Sequence, residues 1–254
     1  MVFLAFAVGA WLGSVRERRV GIPSGTVMDL TVWILISSLL GARLTYVFAH
    51  LDEFQGRWLD ILNPFQSDGT IGIAGLVLLG GVATAVPTAA FYLKRKGIPF
   101  LKMMDVLIPS LAFGIALGRI GCLLNGCCFG RVTALPWGML FPADCLAGYY
   151  FPNQRLHPTQ LYEFIYCVAI AAFLLLRTPR RRFEGELFFW FLTLYGIARF
   201  WNESIRYYTP KLIPLHLGSL QITGSMLLSA AMTLIGGYYL FRGSKTPGKP
   251  VAKR

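Results

Sequence analysis

The stretch Met104-Asp-Val-Leu-Ile-Pro-Ser-Leu-Ala-Phe-Gly-Ile-Ala-Leu-Gly-Arg-Ile-Gly-Cys-Leu-Leu124 decides the fold class. It carries two charged residues, Asp105 and Arg119, in an otherwise apolar run of 21. A helix needs about 20 mainly apolar residues to cross the hydrocarbon of a bilayer. The run is rich in Leu, Ala and Gly and has no alternation of period two, which excludes a barrel strand. Working outward, six further stretches share its character: 1–15, 29–50, 71–93, 160–176, 186–203 and 218–241. Helices and closed barrels alone satisfy their backbone inside lipid. The expectation is an all-α, polytopic helical membrane protein with about seven transmembrane helices. Residues 1–241 read as a single integral membrane domain and 242–254 as a basic cytoplasmic tail.

Composition agrees with that reading. The 254 residues are 55% hydrophobic and 14% charged, against about 25% charged in soluble domains. Mean hydropathy is +0.57. A soluble chain of this size has no core large enough for so much apolar surface. A cytosolic enzyme, a disordered chain and a fibrous one are excluded. The net charge of +12, in so apolar a chain, points to a membrane surface and not to nucleic acid. Five cysteines do not make a disulfide scaffold. No signal-peptide pattern, internal repeat or low-complexity stretch is visible.

Orientation follows from Lys and Arg. Sixteen of the 24 basic residues fall in one set of connections: Arg16, Arg18, Arg19; Lys94, Arg95, Lys96, Lys102; Arg177, Arg180, Arg181, Arg182; and Arg242, Lys245, Lys249, Lys253, Arg254. The alternate connections hold Asp52, Glu53, Asp60, Asp68 and Asp144. The N-terminus is therefore expected outside and the C-terminus in the cytoplasm. Trp11, Trp58, Trp137 and Trp201 sit near expected span ends, as an aromatic belt would.

Ionisable residues inside spans are costly and point to function. Five stand out: Arg43, Arg119, Glu163, Arg199 and Glu203. With the orientation above, each falls in the outer half of its span. Separate snorkelling to the interface would explain any one of them; the set implies a shared polar cavity open to the outer leaflet. Tyr195, Arg199, Glu203 and Arg206 are spaced four, four and three apart and so share one helix face. Between Gly118 and Arg131, four glycines near a helix end permit close backbone approach. Beside them, Arg119 suits a phosphate or another anion. Cys122, Cys127 and Cys128 lie in the same stretch; small packing residues come first, a disulfide second and a metal third. In Arg155-Leu-His157-Pro-Thr-Gln160-Leu-Tyr162-Glu163, Pro158 marks a helix start and His157 is a candidate proton carrier. His50 and His216 read as solvated interfacial residues.

These motifs, taken in order, resemble the bacterial prolipoprotein diacylglyceryl transferase family. The resemblance rests on residues 1–13, Gly41-Ala-Arg43-Leu-Thr-Tyr46, Asn63-Pro-Phe65, Gly75–Gly81, Gly118–Gly130, His157–Glu163 and the Tyr195–Arg206 stripe. It implies transfer of a diacylglyceryl group from phosphatidylglycerol to the lipobox cysteine thiol of a prolipoprotein at the outer face of the inner membrane. It implies Arg119, Arg199, Glu203 and His157 as catalytic residues. Arg119 and Arg199 would stabilise the departing phosphate, Glu203 would orient Arg199, and Glu203 or His157 would take the proton. It implies Arg43, Tyr46, Asn125, Gly126, Gly130, Gln160, Tyr162, Glu163, Tyr195 and Arg206 as substrate-binding residues. No cofactor and no metal are expected. The partners implied are phosphatidylglycerol, the prolipoprotein signal peptide and the bilayer.

The chain departs from the family pattern in places. Leu79 stands where many members carry His or Tyr, and Cys122 and Cys127 stand at the usual Asn and Glu positions. The chain also begins part-way into the pattern, so an upstream aromatic–glycine segment is expected to be missing. Two alternatives follow: a non-catalytic lipid- or lipoprotein-binding paralogue, and a membrane thiol oxidoreductase using Cys122, Cys127, Cys128 and Cys145. A transporter lacks support, since no inverted repeat is visible.

Overall fold

A computed structural model describes residues 2–54, 78–208, 215–217 and 220–245. The beginning of the expected third span, the Asn63–Phe65 element, Trp58, Asp60, Asp68 and the tail beyond 245 lie outside the described residues. Eight helices follow in order among the described residues: α1 Val2–Arg19, α2 Thr26–Ala49, α3 Leu78–Arg95, α4 Phe100–Leu124, α5 Leu146–Tyr150, α6 Thr159–Arg177, α7 Glu186–Ser204 and α8 Gly224–Lys245. Among the described residues, four segments are long and apolar enough to cross a membrane: Thr26–Ala49, Phe100–Leu124, Thr159–Arg180 and Gly224–Gly243. This is a helical membrane protein. The remaining long helices α1, α3 and α7 have 18, 18 and 19 residues. Charge explains the weaker hydropathy of α7, which holds Glu186, Arg199 and Glu203.

One boundary needs correction. The last span was expected from residue 218, but Leu215–Leu217 (β1) and Leu220–Ile222 (β2) pair as a short antiparallel hairpin. Leu215 faces Ile222 and Leu217 faces Leu220. The helix then begins at Gly224 and runs to Lys245. Apolar content alone cannot separate a short strand from the first turn of a membrane helix.

The chain divides into two compact units, Val20–Phe100 and Met1–Arg19 with Leu101–Arg254. In the first, α2 and α3 pack through small residues. A side chain at Gly41 or at Gly80 would meet the other's carbonyl oxygen at 2.6 Å. The Thr84 hydroxyl donates to the Ser37 carbonyl at 2.7 Å across the same seam. Small residues and interhelical hydroxyl bonds bind helices where lipid offers no hydrophobic drive. Arg43 on α2 is buried, at 3% exposure, with its guanidinium 5.9 Å from the Tyr46 ring centre. The His50 ring stacks on Tyr46 with centroids 4.3 Å apart.

In the second unit, Ile108 and Ala112 of α4, Ile170, Ala171 and Leu174 of α6, and Leu187 and Phe191 of α7 form one buried cluster. It holds these three helices together between two charged ends. Outward faces stay apolar and exposed: Leu176, Trp201 and Leu234 are each more than 70% exposed. Such surface suits lipid and not water.

Candidate active site

Arg119, Glu163, Arg199 and Glu203 come from three helices that the cluster above fixes in register. Arg119 lies near the end of α4, Glu163 in the first turns of α6, and Arg199 with Glu203 in the last turns of α7. They form a connected network. Glu163 is almost fully buried and accepts from Arg119 at 3.0 Å on one oxygen and from Arg199 at 2.9 Å on the other. The Tyr195 hydroxyl donates to it at 3.0 Å, and the Asn202 amide lies 3.4 Å away. Arg199 also reaches Glu203 at 2.7 Å, and Arg206 lies 3.7 Å from the same carboxylate. Glu203 accepts further from the hydroxyls of Tyr208 and Thr223, the latter at 3.1 Å.

Three guanidinium groups thus share two carboxylates, leaving an excess of one positive charge. A buried charge survives only when paired and hydrogen-bonded. The polar shell is incomplete: Gln160 Oε1, Asn202 Oδ1 and Arg206 Nε are buried without a hydrogen-bond partner among the described residues. Orphaned polar atoms gathered at one place call for a water or a ligand group.

The loop between α4 and α6 builds the rest. Isolated bridges pair Gly130 with Arg206 and Val132 and Met139 with Leu156. The Phe129 ring stacks on Tyr207 at 5.7 Å. Gly130 is needed there, because a Cβ would lie 2.6 Å from that of His157 and 2.8 Å from Thr159 Cγ2. Gly126 has φ +60°, and a Cβ there would collide with the Cys145 side chain. The Gln160 amide and the Thr159 hydroxyl, at the start of α6, donate to the Cys127 and Cys128 carbonyls, each at 2.6 Å. The Asn125 amide hydrogen-bonds the Cys127 thiol. Burial, with Cys128 beside it, pushes that thiol up to about 11. All five cysteines are free.

His157 precedes α6, and its Nδ1 lies 3.1 Å from the Tyr162 hydroxyl, which accepts from the Trp137 indole at 2.9 Å. Arg155, Gln160 and Glu163 flank this histidine in the sequence. The structure turns Arg155 to the Pro136 carbonyl at 3.2 Å, Gln160 to the Cys127 carbonyl and Glu163 to the arginines. Burial lowers the His157 imidazole below its ordinary pKa. Tyr208, buried against Glu203, is pushed up to about 12 and so stays a donor at neutral pH.

Two expectations change in detail. Arg206 lies beyond the end of α7 and reaches Glu203 from the bridge with Gly130. Pro158 caps α6 from outside, and the helix starts at Thr159. Sequence reasoning missed Asn202, Thr159, Tyr208 and Thr223. Asn202 was within reach, three residues after Arg199 on the same stripe.

The fold and the network define a class: helical membrane proteins that hold a buried arginine–carboxylate network where three helices meet. Residues 1–242 match the family model described as prolipoprotein diacylglyceryl transferase, and the chain belongs to that family. A phosphatidylglycerol–prolipoprotein diacylglyceryl transferase of Finegoldia magna is 32% identical over 240 residues, covering 92% of this chain and 84% of that protein. The enzyme of the same name from Thermosynechococcus vestitus is 31% identical over 244 residues, covering 95% and 86%. That from Clostridium tetani is 27% identical over 241 residues, covering 95% and 90%.

Proposed function

We propose that this chain transfers a diacylglyceryl group from phosphatidylglycerol to the lipobox cysteine of a prolipoprotein, presented through its signal peptide. The thiol sulfur forms a bond to the glyceryl carbon, that carbon's bond to the phosphate oxygen breaks, and glycerol phosphate leaves with the electron pair. The thiol proton passes to a base. The carrying observation is the buried network in which Arg119, Arg199 and Arg206 face Glu163 and Glu203. Its surplus positive charge sits ready for the negative charge that develops on the departing phosphate.

The network divides the work among the arginines. Arg199 is held by both carboxylates and acts as the brace. Arg119 gives one contact to Glu163 and is 20% exposed. Arg206 keeps an unpartnered Nε. These two have donors to turn to a phosphate. Both carboxylates are engaged by arginines, Glu163 by Arg119 and Arg199 and Glu203 by Arg199 and Arg206. His157, neutral through burial and with Nε2 clear of Tyr162, is the better proton acceptor. On this reading Gln160, Tyr162, Asn125, Gly126 and Gly130 shape the substrate cavity.

We read all seven long helices as spans of the bacterial inner membrane, with residues 1–241 as one membrane domain. The basic last turns of α1, α3 and α6 support a cytoplasmic C-terminus and an outer site. The test is direct: vesicles of phosphatidylglycerol, purified protein and a lipobox peptide. The peptide should gain the diacylglyceryl mass as glycerol phosphate appears, and vesicles of zwitterionic lipid should give none. Absent transfer beside an active family member would leave the non-catalytic paralogue as the reading.

A further inference from the structure

Cys122, Cys127 and Cys128 have no second cysteine pair to complete a four-ligand site, since Cys145 and Cys167 are isolated in the sequence, which made a metal the last of the three readings of them. The fold changes that order. Their sulfur atoms all lie within 4.8 Å of one another. The backbone that carries them is tied down on every side. Cys127 N–H donates to the Cys122 carbonyl at 3.1 Å, and Ala147 N–H to the Gly126 carbonyl at 3.1 Å. Gln160 and Thr159 close on the Cys127 and Cys128 carbonyls. Gly126 at φ +60° and Cys128 at φ +63° place left-handed turns on both sides of Cys127. The Cys122, Gly126, Cys127 and Cys128 carbonyls are thus occupied by this framework, and the three sulfurs are held beside one another. The guanidinium of Arg119 lies 3.9 Å from Cys122 Sγ.

We propose that Cys122, Cys127 and Cys128 form a three-thiolate site for a soft monovalent cation of the Cu(I) class. With a metal–sulfur bond of about 2.3 Å, three sulfurs in a trigonal plane lie about 4 Å apart. The observed spread closes onto that triangle with shifts of less than about 1 Å, so the site is nearly preorganised. Thiolate sulfur selects Cu(I) among first-row ions, whereas zinc asks for four ligands. No His or carboxylate joins the triad among the described residues, and Cys145 Sγ is turned to the Pro142 carbonyl at 3.1 Å. On binding, three S–H bonds release their protons to solvent and three S–metal bonds form; no electron is transferred. The local charge falls by two beside Arg119. On the transferase reading of that arginine, occupancy draws it toward the sulfurs and inhibits transfer.

The experiment uses the purified, reduced full chain in detergent, titrated anaerobically with Cu(I) against a chromogenic chelator. One Cu(I) per chain should be withheld from the chelator, with sulfur-to-metal charge-transfer absorption. Cys127→Ser/Cys128→Ser should weaken binding by more than about 100-fold, beyond the loss of a supporting group. Cys145→Ser and Cys167→Ala should bind as wild type. Equal loss of metal from wild type and the double variant overturns the site. So does a disulfide among the three cysteines in the protein as isolated. In the lipobox assay, one equivalent of Cu(I) should lower transfer more than about tenfold in wild type and leave the double variant unaffected. Transfer that ignores bound Cu(I) overturns the coupling to Arg119. A metal-free wild type without any transfer instead overturns the transferase reading, which the chelator competition does not depend on.

Discussion

Helices α4, α6 and α7 carry charge at both ends, and the two ends treat a buried carboxylate differently. At one end Asp105 accepts from the backbone N–H groups of Gly185, Leu187 and Phe188 at 2.8, 3.0 and 3.2 Å. It caps the first turn of α7, where a helix presents unpaired donors and positive dipole. Beside it, Glu186 takes Arg177 at 2.7 Å and the backbone N–H of Arg182. Arg16 donates to the Val106 and Asp105 carbonyls, both at 3.1 Å. At the other end the hydrogen-bond and ion-pair partners of Glu163 and Glu203 are side chains: arginines, tyrosines, Asn202 and Thr223. Backbone donors cannot leave without unwinding a helix. A guanidinium can rotate toward a substrate and return. The first end is a fastening, and the second is built to exchange partners.

The sharpest way to break that comparison is to weaken one partner at each end. Arg119→Lys keeps the charge but loses the planar fork that grips a phosphate. Turnover should fall about 10²–10³-fold, roughly 3–4 kcal/mol of transition-state stabilisation, while thermal unfolding stays near wild type. Arg199→Lys should lose both turnover and stability, because Arg199 bridges two buried carboxylates. Near-normal turnover in Arg119→Lys would remove it from the phosphate site.

Asp105→Asn probes the fastening. The amide keeps one acceptor but turns its NH2 toward backbone donors. Hydrogen bonds to a charged group are worth about 1.5–3 kcal/mol each, and a loss on that scale should show in thermal unfolding in detergent. Turnover per folded molecule should stay unchanged. A variant that unfolds normally but transfers poorly would show that both ends serve chemistry.

Gly130→Ala sits between the two cases. Its new Cβ must push His157 and Thr159, an overpacking cost of about 1–3 kcal/mol. Since His157 and the clamp on Cys128 move with it, stability and turnover should fall together. A purely structural loop would lose stability alone.

The sequence made the helices and the charged positions legible for one reason: a polar residue in an apolar run has no neutral explanation. Arg119, Glu163, Arg199 and Glu203 were found that way, and they meet. Which carboxylate lies at the centre was not legible. The set implied a shared cavity, but the spacing of Arg199 and Glu203 on one helix says nothing of Glu163 on another. Periodicity gives the face a residue occupies on its own helix, not the rotational setting of one helix against another. That setting puts Glu163 between two arginines. Tyr208 and Thr223 escaped notice because they reach Glu203 from a loop and from the residue before α8, and the hairpin before that helix reads like more membrane span.

The smallest effect expected is a pH dependence, and it tests which group at the exchanging end takes the proton. His157 has its pKa lowered by burial, below the ordinary value of about 6.5. Between the two values the unfolded chain binds more protons than the folded one. Stability therefore rises with pH across that window and is lost on acidification. Transfer should move the same way, because only the neutral ring accepts a proton: a fall on the acid side with a midpoint under about 6.5, and a flat profile above it. The measurement is kcat/KM against pH, which reports the free enzyme. His157→Gln keeps a partner for Tyr162 and cannot titrate, so its residual turnover should lose the acid limb. An acid limb that persists in His157→Gln assigns the proton to another group, and Glu203, on the α7 side of the network, is then the residue to replace next.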